Sequence, residues 1–161
     1  MITLVLGGAR SGKSEVAERL AGAGDGPVTY VATGTATDQE MAARIAAHRE
    51  RRPGNWQTVE EAGPALPRLL VDLMGPALID SLTTWLAAAP EFELDAEALC
   101  TAMAKRDGDT VVVSDEVGLG VHPSTEAGNR FRDALGVLNQ RVAAMADEVV
   151  LVVAGRTLRL S

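Results

Sequence analysis

Gly7-Gly8-Ala9-Arg10-Ser11-Gly12-Lys13-Ser14 decides how the rest of this chain is read. An apolar run, Ile2-Thr3-Leu4-Val5-Leu6, precedes it, and a helical pattern from Glu15 to Ala21 follows. Strand, glycine-rich turn and helix thus come in the order, and with the G-x-x-x-x-G-K-S spacing, of a phosphate-binding loop. Each residue type has a physical reason. Glycines let successive backbone N–H groups curl around phosphate oxygens with no Cβ in the way. The helix that follows points its N-terminal dipole at the anion. Lys13 is placed to reach the terminal phosphates, and the Ser14 hydroxyl to ligate Mg²⁺.

Outward from this loop, apolar β-branched runs alternate with helical patterns to the end of the chain, which argues α/β with a mainly parallel sheet. Strands are expected at 2–6, 28–32, 77–80, 110–114 and 148–153, with a shorter one within 55–60. Helices are expected at 13–22, 38–51, 64–73, 81–89, from an Asp95 N-cap to about 106, and at 126–146. In the last, Phe131, Leu135, Leu138, Val142 and Met145 form a core-facing stripe. Gly155 offers a tight turn into 157–160, a C-terminal hairpin with an antiparallel edge strand. With no repeat, linker or low-complexity stretch, residues 1–161 read as a single nucleotide-binding catalytic domain.

Composition narrows the class. Of 161 residues, 47% are hydrophobic, enough to exclude wholesale disorder. The net charge of −7 is opposite to that of a general nucleic-acid binder, so none is expected as a partner. Aromatics at 3% leave no platform of rings for stacking single strands. No apolar run reaches transmembrane length, and the N-terminus reads as a strand rather than a signal peptide. Cys100 is the only cysteine, which excludes an intramolecular disulfide and fits a reducing cytoplasm.

Two strand ends carry acids able to hold a metal or its water: Asp80, and Asp115-Glu116. For each the alternative is a turn or capping acid. The segment Arg44, His48, Arg49, Arg51, Arg52, broken by the single acid Glu50, is a positive cluster in an acidic chain. Arginines grip phosphate in a fork, and neutral imidazole is a competent nucleophile at phosphorus. Spacing alone leaves two readings open there: a solvated arginine-rich helix face, or a His48 that accepts a phosphoryl or nucleotidyl group. His122, in a glycine-rich loop, either touches substrate or has no role. No zinc spacing and no acyl-transfer set is present.

Longer patterns carry a resemblance. Gly-Gly-Ala-Arg-Ser-Gly-Lys-Ser at 7–14 is joined by Tyr-Val-Ala-Thr-Gly at 30–34 and Asp-x-Glu-Met-Ala-x-Arg-Ile-x-x-His-Arg at 38–49. Arg-Pro-x-x-Trp-x-Thr-Val-Glu at 52–60, Leu-Ile-Asp-Ser-Leu-Thr-Thr-Trp-Leu at 78–86 and Glu-Val-Gly-x-Gly at 116–120 extend it. Phe-Arg-Asp-x-x-Gly-x-x-Asn-Gln at 131–140 and Ala-Asp-Glu-Val at 146–149 complete it. Over its whole length the sequence resembles the bifunctional adenosylcobinamide kinase / adenosylcobinamide-phosphate guanylyltransferase family of cobalamin biosynthesis. The resemblance implies a three-layer P-loop NTPase fold of RecA-like type, Mg²⁺ with ATP or GTP, and adenosylcobinamide as substrate. It also implies a homo-oligomer, with trimers known in the family. His48 matches the histidine that carries GMP, and Lys13 is expected to be the catalytic lysine. The loop residues Gly7, Gly8, Ala9, Arg10, Ser11, Gly12, Lys13 and Ser14 are implied to hold nucleotide phosphates. Thr33, Gly34, Arg49, Glu50, Arg51, Arg52 and Glu60 are implied to line the GTP site, and Asp80, with Ser14, to face the metal. Outside this family, the same loop would suit a single-activity small-molecule kinase or a nucleotide-binding regulatory module. Three departures stand out: the stretch from Trp85 to Val111 is short, Asp115 stands where the family often has Asn, and Ala47 leaves no second histidine beside His48.

Overall fold

The computed structural model describes residues 1–24, 26–34 and 52–160. The helix expected at 38–51, and with it His48, Arg49, Glu50 and Arg51, lies outside the described residues.

The chain opens with β1 (Ile2–Gly7), every residue of it buried, and turns through the glycine loop into α1 (Lys13–Ala21). Then come β2 (Thr29–Ala32), β3 (Gln57–Glu60), α2 (Leu66–Asp72), β4 (Ala77–Asp80), α3 (Leu82–Ala88) and α4 (Ala96–Lys105). The chain closes with β5 (Thr110–Asp115), α5 (Glu126–Met145), β6 (Glu148–Val153) and β7 (Arg156–Arg159). A short 3-10 turn at Pro90–Phe92, not foreseen from the sequence, links α3 to α4; there Phe92 meets Phe131 edge to face, with ring centroids 5.3 Å apart.

The strands form one sheet in the order β3-β2-β4-β5-β1-β6-β7. All pairings among β1 to β6 are parallel, and β7 returns antiparallel on β6 at the edge. Because side chains alternate across a strand, the sheet feeds two apolar layers. Val5, Val31's neighbours Tyr30 and Ala32, Leu78 and Val113 face α1 and its Val16 and Ala17. Leu4, Val31, Ile79 and Val112 face the other helices, through Leu66, Leu70, Trp85, Leu99, Leu135 and Val142. Of the stripe expected on α5, Leu135, Leu138 and Val142 are buried and Phe131 and Met145 half-buried.

Three helices start on side-chain caps. Ser81, Asp95 and Thr125 accept from the backbone N–H groups of Thr84, Ala98 and Gly128. At the opposite end of the sheet from the glycine loop, Arg106 is a half-buried staple. Its guanidinium donates to the carbonyls of Leu70, Leu73 and Gly75 at 3.0, 3.1 and 2.6 Å and to Thr110 Oγ1 at 3.0 Å. Burial lowers its pKa. Among the described residues no helix is long and apolar enough to cross a membrane.

Candidate functional site

The parallel strands β1, β2, β4 and β5 all end on the same side of the sheet, where open α/β sheets place their ligands. There a cavity of about 740 Å³ opens. Ala9, Arg10, Ser11, Gly12, Lys13 and Ser14 form one wall; Tyr30, Gly34, Arg52, Thr58, Glu60 and Asp80 form the other. Ser81, Thr84, Asp115 and Glu116 contribute to its floor and rim. The structure therefore gathers around one space most of the described residues that the sequence nominates.

The loop wall is one contiguous stretch shaped by a glycine turn. Gly12 sits at φ 91°, a left-handed position, and turns the chain into α1. A Cβ on Gly7 would lie 2.5 Å from Ser11 Oγ and 2.8 Å from the Val152 carbonyl oxygen. Unlike the helices capped by Ser81, Asp95 and Thr125, α1 has no side-chain cap, so its first-turn N–H groups stay open to an anion. Ser11 Oγ is buried with no hydrogen-bond partner among the described residues. Lys13 Nζ pairs with Asp115 Oδ1 at 2.6 Å, both side chains partly buried. Asp115 is itself held at the backbone: its N–H donates to Thr83 Oγ1 at 2.8 Å, and Asn139 Nδ2 donates to its carbonyl oxygen at 3.1 Å.

The far wall is made of side chains. Tyr30 donates its hydroxyl to Asp80 Oδ2 at 2.7 Å. Burial, and then the Asp80 carboxylate, push the phenol far above its ordinary pKa, so it stays a donor. The Arg52 guanidinium lies 3.6 Å from the centroid of the Tyr30 ring, and its Nη1 donates to Thr58 Oγ1 at 3.2 Å. Gly7, Gly8 and Thr33 do not line the cavity. Thr33 is wholly buried: its Oγ1 donates to the Ser81 carbonyl at 2.6 Å, accepts from Ser81 N–H at 2.8 Å and lies 2.7 Å from Thr84 Oγ1. It fixes the chain just past Asp80. His122 is exposed on its loop, Nδ1 beside the Pro123 carbonyl. Cys100 packs half-buried against the core, where burial raises its thiol pKa.

A divalent cation with its nucleotide fits these residues. The oxygens of Ser14, Asp80 and Asp115 are hard donors. No cluster of three His, Cys, Asp or Glu side chains able to hold a metal occurs among the described residues. A cation held by one or two protein oxygens, waters and substrate phosphates is the magnesium pattern rather than a closed protein cage.

Fold and site together define a P-loop nucleotide-binding protein. Consistent with that, the fold matches a solved ATPase of the type III secretion system of pathogenic bacteria at TM-score 0.61 and 11% identity, over 93% of this chain and 50% of that one. The particular family comes from sequence: CobU, described as cobinamide kinase / cobinamide phosphate guanyltransferase, matches residues 3–160, and the chain belongs to it. The bifunctional adenosylcobalamin biosynthesis protein CobP of Pseudomonas aeruginosa is 42% identical over 96% of this chain and 94% of its own length. The protein CobU of Salmonella typhimurium is 40% identical over 96% and 97%. The activities of the family are thus a kinase and a guanylyltransferase acting on cobinamide and its phosphate.

Proposed function

We propose that this chain moves the γ-phosphate of ATP or GTP to the aminopropanol hydroxyl of adenosylcobinamide, and then attaches GMP from GTP to that phosphate. The products of the second step are adenosyl-GDP-cobinamide and pyrophosphate, and His48 carries GMP between donor and acceptor. The observation that supports this most is the shared cavity, with a phosphate loop on one wall and Asp80, Arg52 and Glu60 on the other.

In the kinase step the loop amides and α1 hold the triphosphate in line, and Lys13 leaves Asp115 to neutralise charge on the transferring phosphoryl group. The substrate oxygen bonds to the γ-phosphorus as the bond to the β–γ bridging oxygen breaks. Ser14 and Asp80 would hold Mg²⁺, which when bound offsets the negative charge of the phosphates. In the guanylyl step a nitrogen of His48 bonds to the α-phosphorus and pyrophosphate leaves. A phosphate oxygen of the cobinamide phosphate then displaces the imidazole. Arg52, four residues beyond His48 in the sequence, lines the same cavity, and in this reading its guanidinium grips a phosphate of the nucleotide.

Intact mass after incubation with GTP and Mg²⁺ tests this. The expected result is a gain of one GMP, released by acid and abolished in His48→Ala, while that variant still phosphorylates cobinamide. An undiminished gain in His48→Ala would move the nucleophile elsewhere.

A further inference from the structure

Tyr30 lies on β2 with its side chain almost wholly buried, 6% exposed. Register explains what it meets. Thr58, Tyr30 and Leu78 form one row across β3, β2 and β4; Glu60, Ala32 and Asp80 form the row two residues on. Both rows therefore share a face of the sheet. Ala32, directly paired with Asp80, has no group that can hold a carboxylate. The Tyr30 hydroxyl reaches across the diagonal instead, and at 2.7 Å it makes the one hydrogen bond that the described residues give to that carboxylate. The ring face of the same residue carries the Arg52 guanidinium, which Thr58 steadies from the neighbouring strand. A side chain that only filled this part of the core would need neither contact; phenylalanine has the same ring.

We propose that Tyr30 is a positioning residue for both functions of the cavity: its hydroxyl fixes Asp80 and its ring seats Arg52. With Oδ2 tied to the phenol, the second oxygen of Asp80, a residue lining the cavity, is left for the nucleotide and its metal. With its guanidinium carbon over the ring and Nη1 on Thr58, Arg52 is held at the far wall. One residue of β2 thereby sets the spacing between the acid facing the phosphate loop and the arginine four residues beyond His48 in the sequence. This inference rests on the role given to Asp80 above.

The test uses the full chain and a fluorescent GTP analogue, titrated once in EDTA and once in Mg²⁺, with folding checked by circular dichroism. The wild type binds more tightly in Mg²⁺. Tyr30→Phe keeps its EDTA affinity and loses about tenfold of the magnesium enhancement, the size of a lost hydrogen bond to a charged group. Asp80→Asn loses the enhancement entirely. Tyr30→Leu weakens binding in EDTA as well, because Arg52 loses its seat. Arg52→Lys, a change outside the buried core, reproduces that loss and reads the ring contact if Tyr30→Leu does not fold. A Tyr30→Phe protein with wild-type enhancement, alongside an Asp80→Asn protein without it, overturns the hydroxyl's part. Wild-type EDTA affinity in Arg52→Lys overturns the ring's part. Enhancement surviving in Asp80→Asn overturns the role of Asp80, and the hydroxyl's part with it.

Discussion

The two walls of the cavity are built on different principles. The loop wall is contiguous in sequence, and its shape is set by the glycine turn: a side chain has no room at Gly7, just before the wall, and Gly12 is left-handed. The far wall gathers Tyr30, Arg52, Thr58 and Asp80 from separate places in the chain, and its shape comes from side chains touching across three strands. Backbone-made recognition suits what every nucleotide shares, its phosphates. Side-chain recognition is where one nucleotide enzyme can differ from another.

Several measurements sharpen or break this contrast. The largest effect is expected from Lys13→Ala, which removes the ammonium that the loop wall carries at the start of α1. Cobinamide phosphorylation should fall roughly a hundredfold or more, about 2.7 kcal/mol of barrier. Unchanged phosphate transfer would remove the loop from the reaction. Gly7→Ala should cost about 2 kcal/mol in denaturant unfolding, because the new Cβ presses on the backbone of β6 as well as on Ser11. An unaltered midpoint would mean the loop wall is less constrained than its contacts indicate.

Thr33→Val probes the support beneath the far wall. It strips the hydroxyl from the Ser81 N–H and carbonyl, and a loss of about 1.5 kcal/mol in stability is expected. Asp115→Asn should change stability by less than about 1 kcal/mol yet tighten nucleotide binding about threefold, since a partly exposed ion pair contributes little and an anion is removed beside the triphosphate. Weaker binding in calorimetry would show that Asp115 serves the ligand directly. The smallest effect at neutral pH is that of the Tyr30 phenol. Its folded pKa is raised, so its contribution to stability is complete below the unfolded value of about 10 and is lost as pH rises beyond it. Tyr30 is the only tyrosine, so ultraviolet titration of the metal-free protein reads it alone. Tyrosinate absorbance appearing in folded protein near the ordinary value would contradict the burial of the phenol and its contact with Asp80.

The same contrast governs what could be read from the sequence. The phosphate loop, the strands and most helices were legible, because each is encoded locally by spacing, periodicity and caps; Asp95 does cap α4, and the C-terminal hairpin forms with β7 antiparallel. From the strand pattern alone Asp80 and Asp115 were equal candidates, and the resemblance singled out Asp80; their contacts differ, with Asp115 against Lys13 and Asp80 against Tyr30. Tyr30 appears in the sequence as one aromatic within a quoted pattern, and its two contacts depend on partners 50 and 22 residues away. A single hydroxylated ring in a short buried strand was the only signal. Thr33 illustrates the converse: a polar residue at a strand end that points into the protein and spends its hydroxyl on Ser81 and Thr84 rather than facing the cavity.

The anchoring of Asp115 has a consequence for which anions gain entry. Thr83 and Asn139 hold its main chain from either side, so the flexible stem of Lys13 is the partner free to let go. An arriving ligand must therefore outcompete a carboxylate already in place, rather than meet a waiting ammonium. A polyphosphate tail, gripped along several oxygens by the loop at the same moment, has more to offer in that exchange than a single small anion.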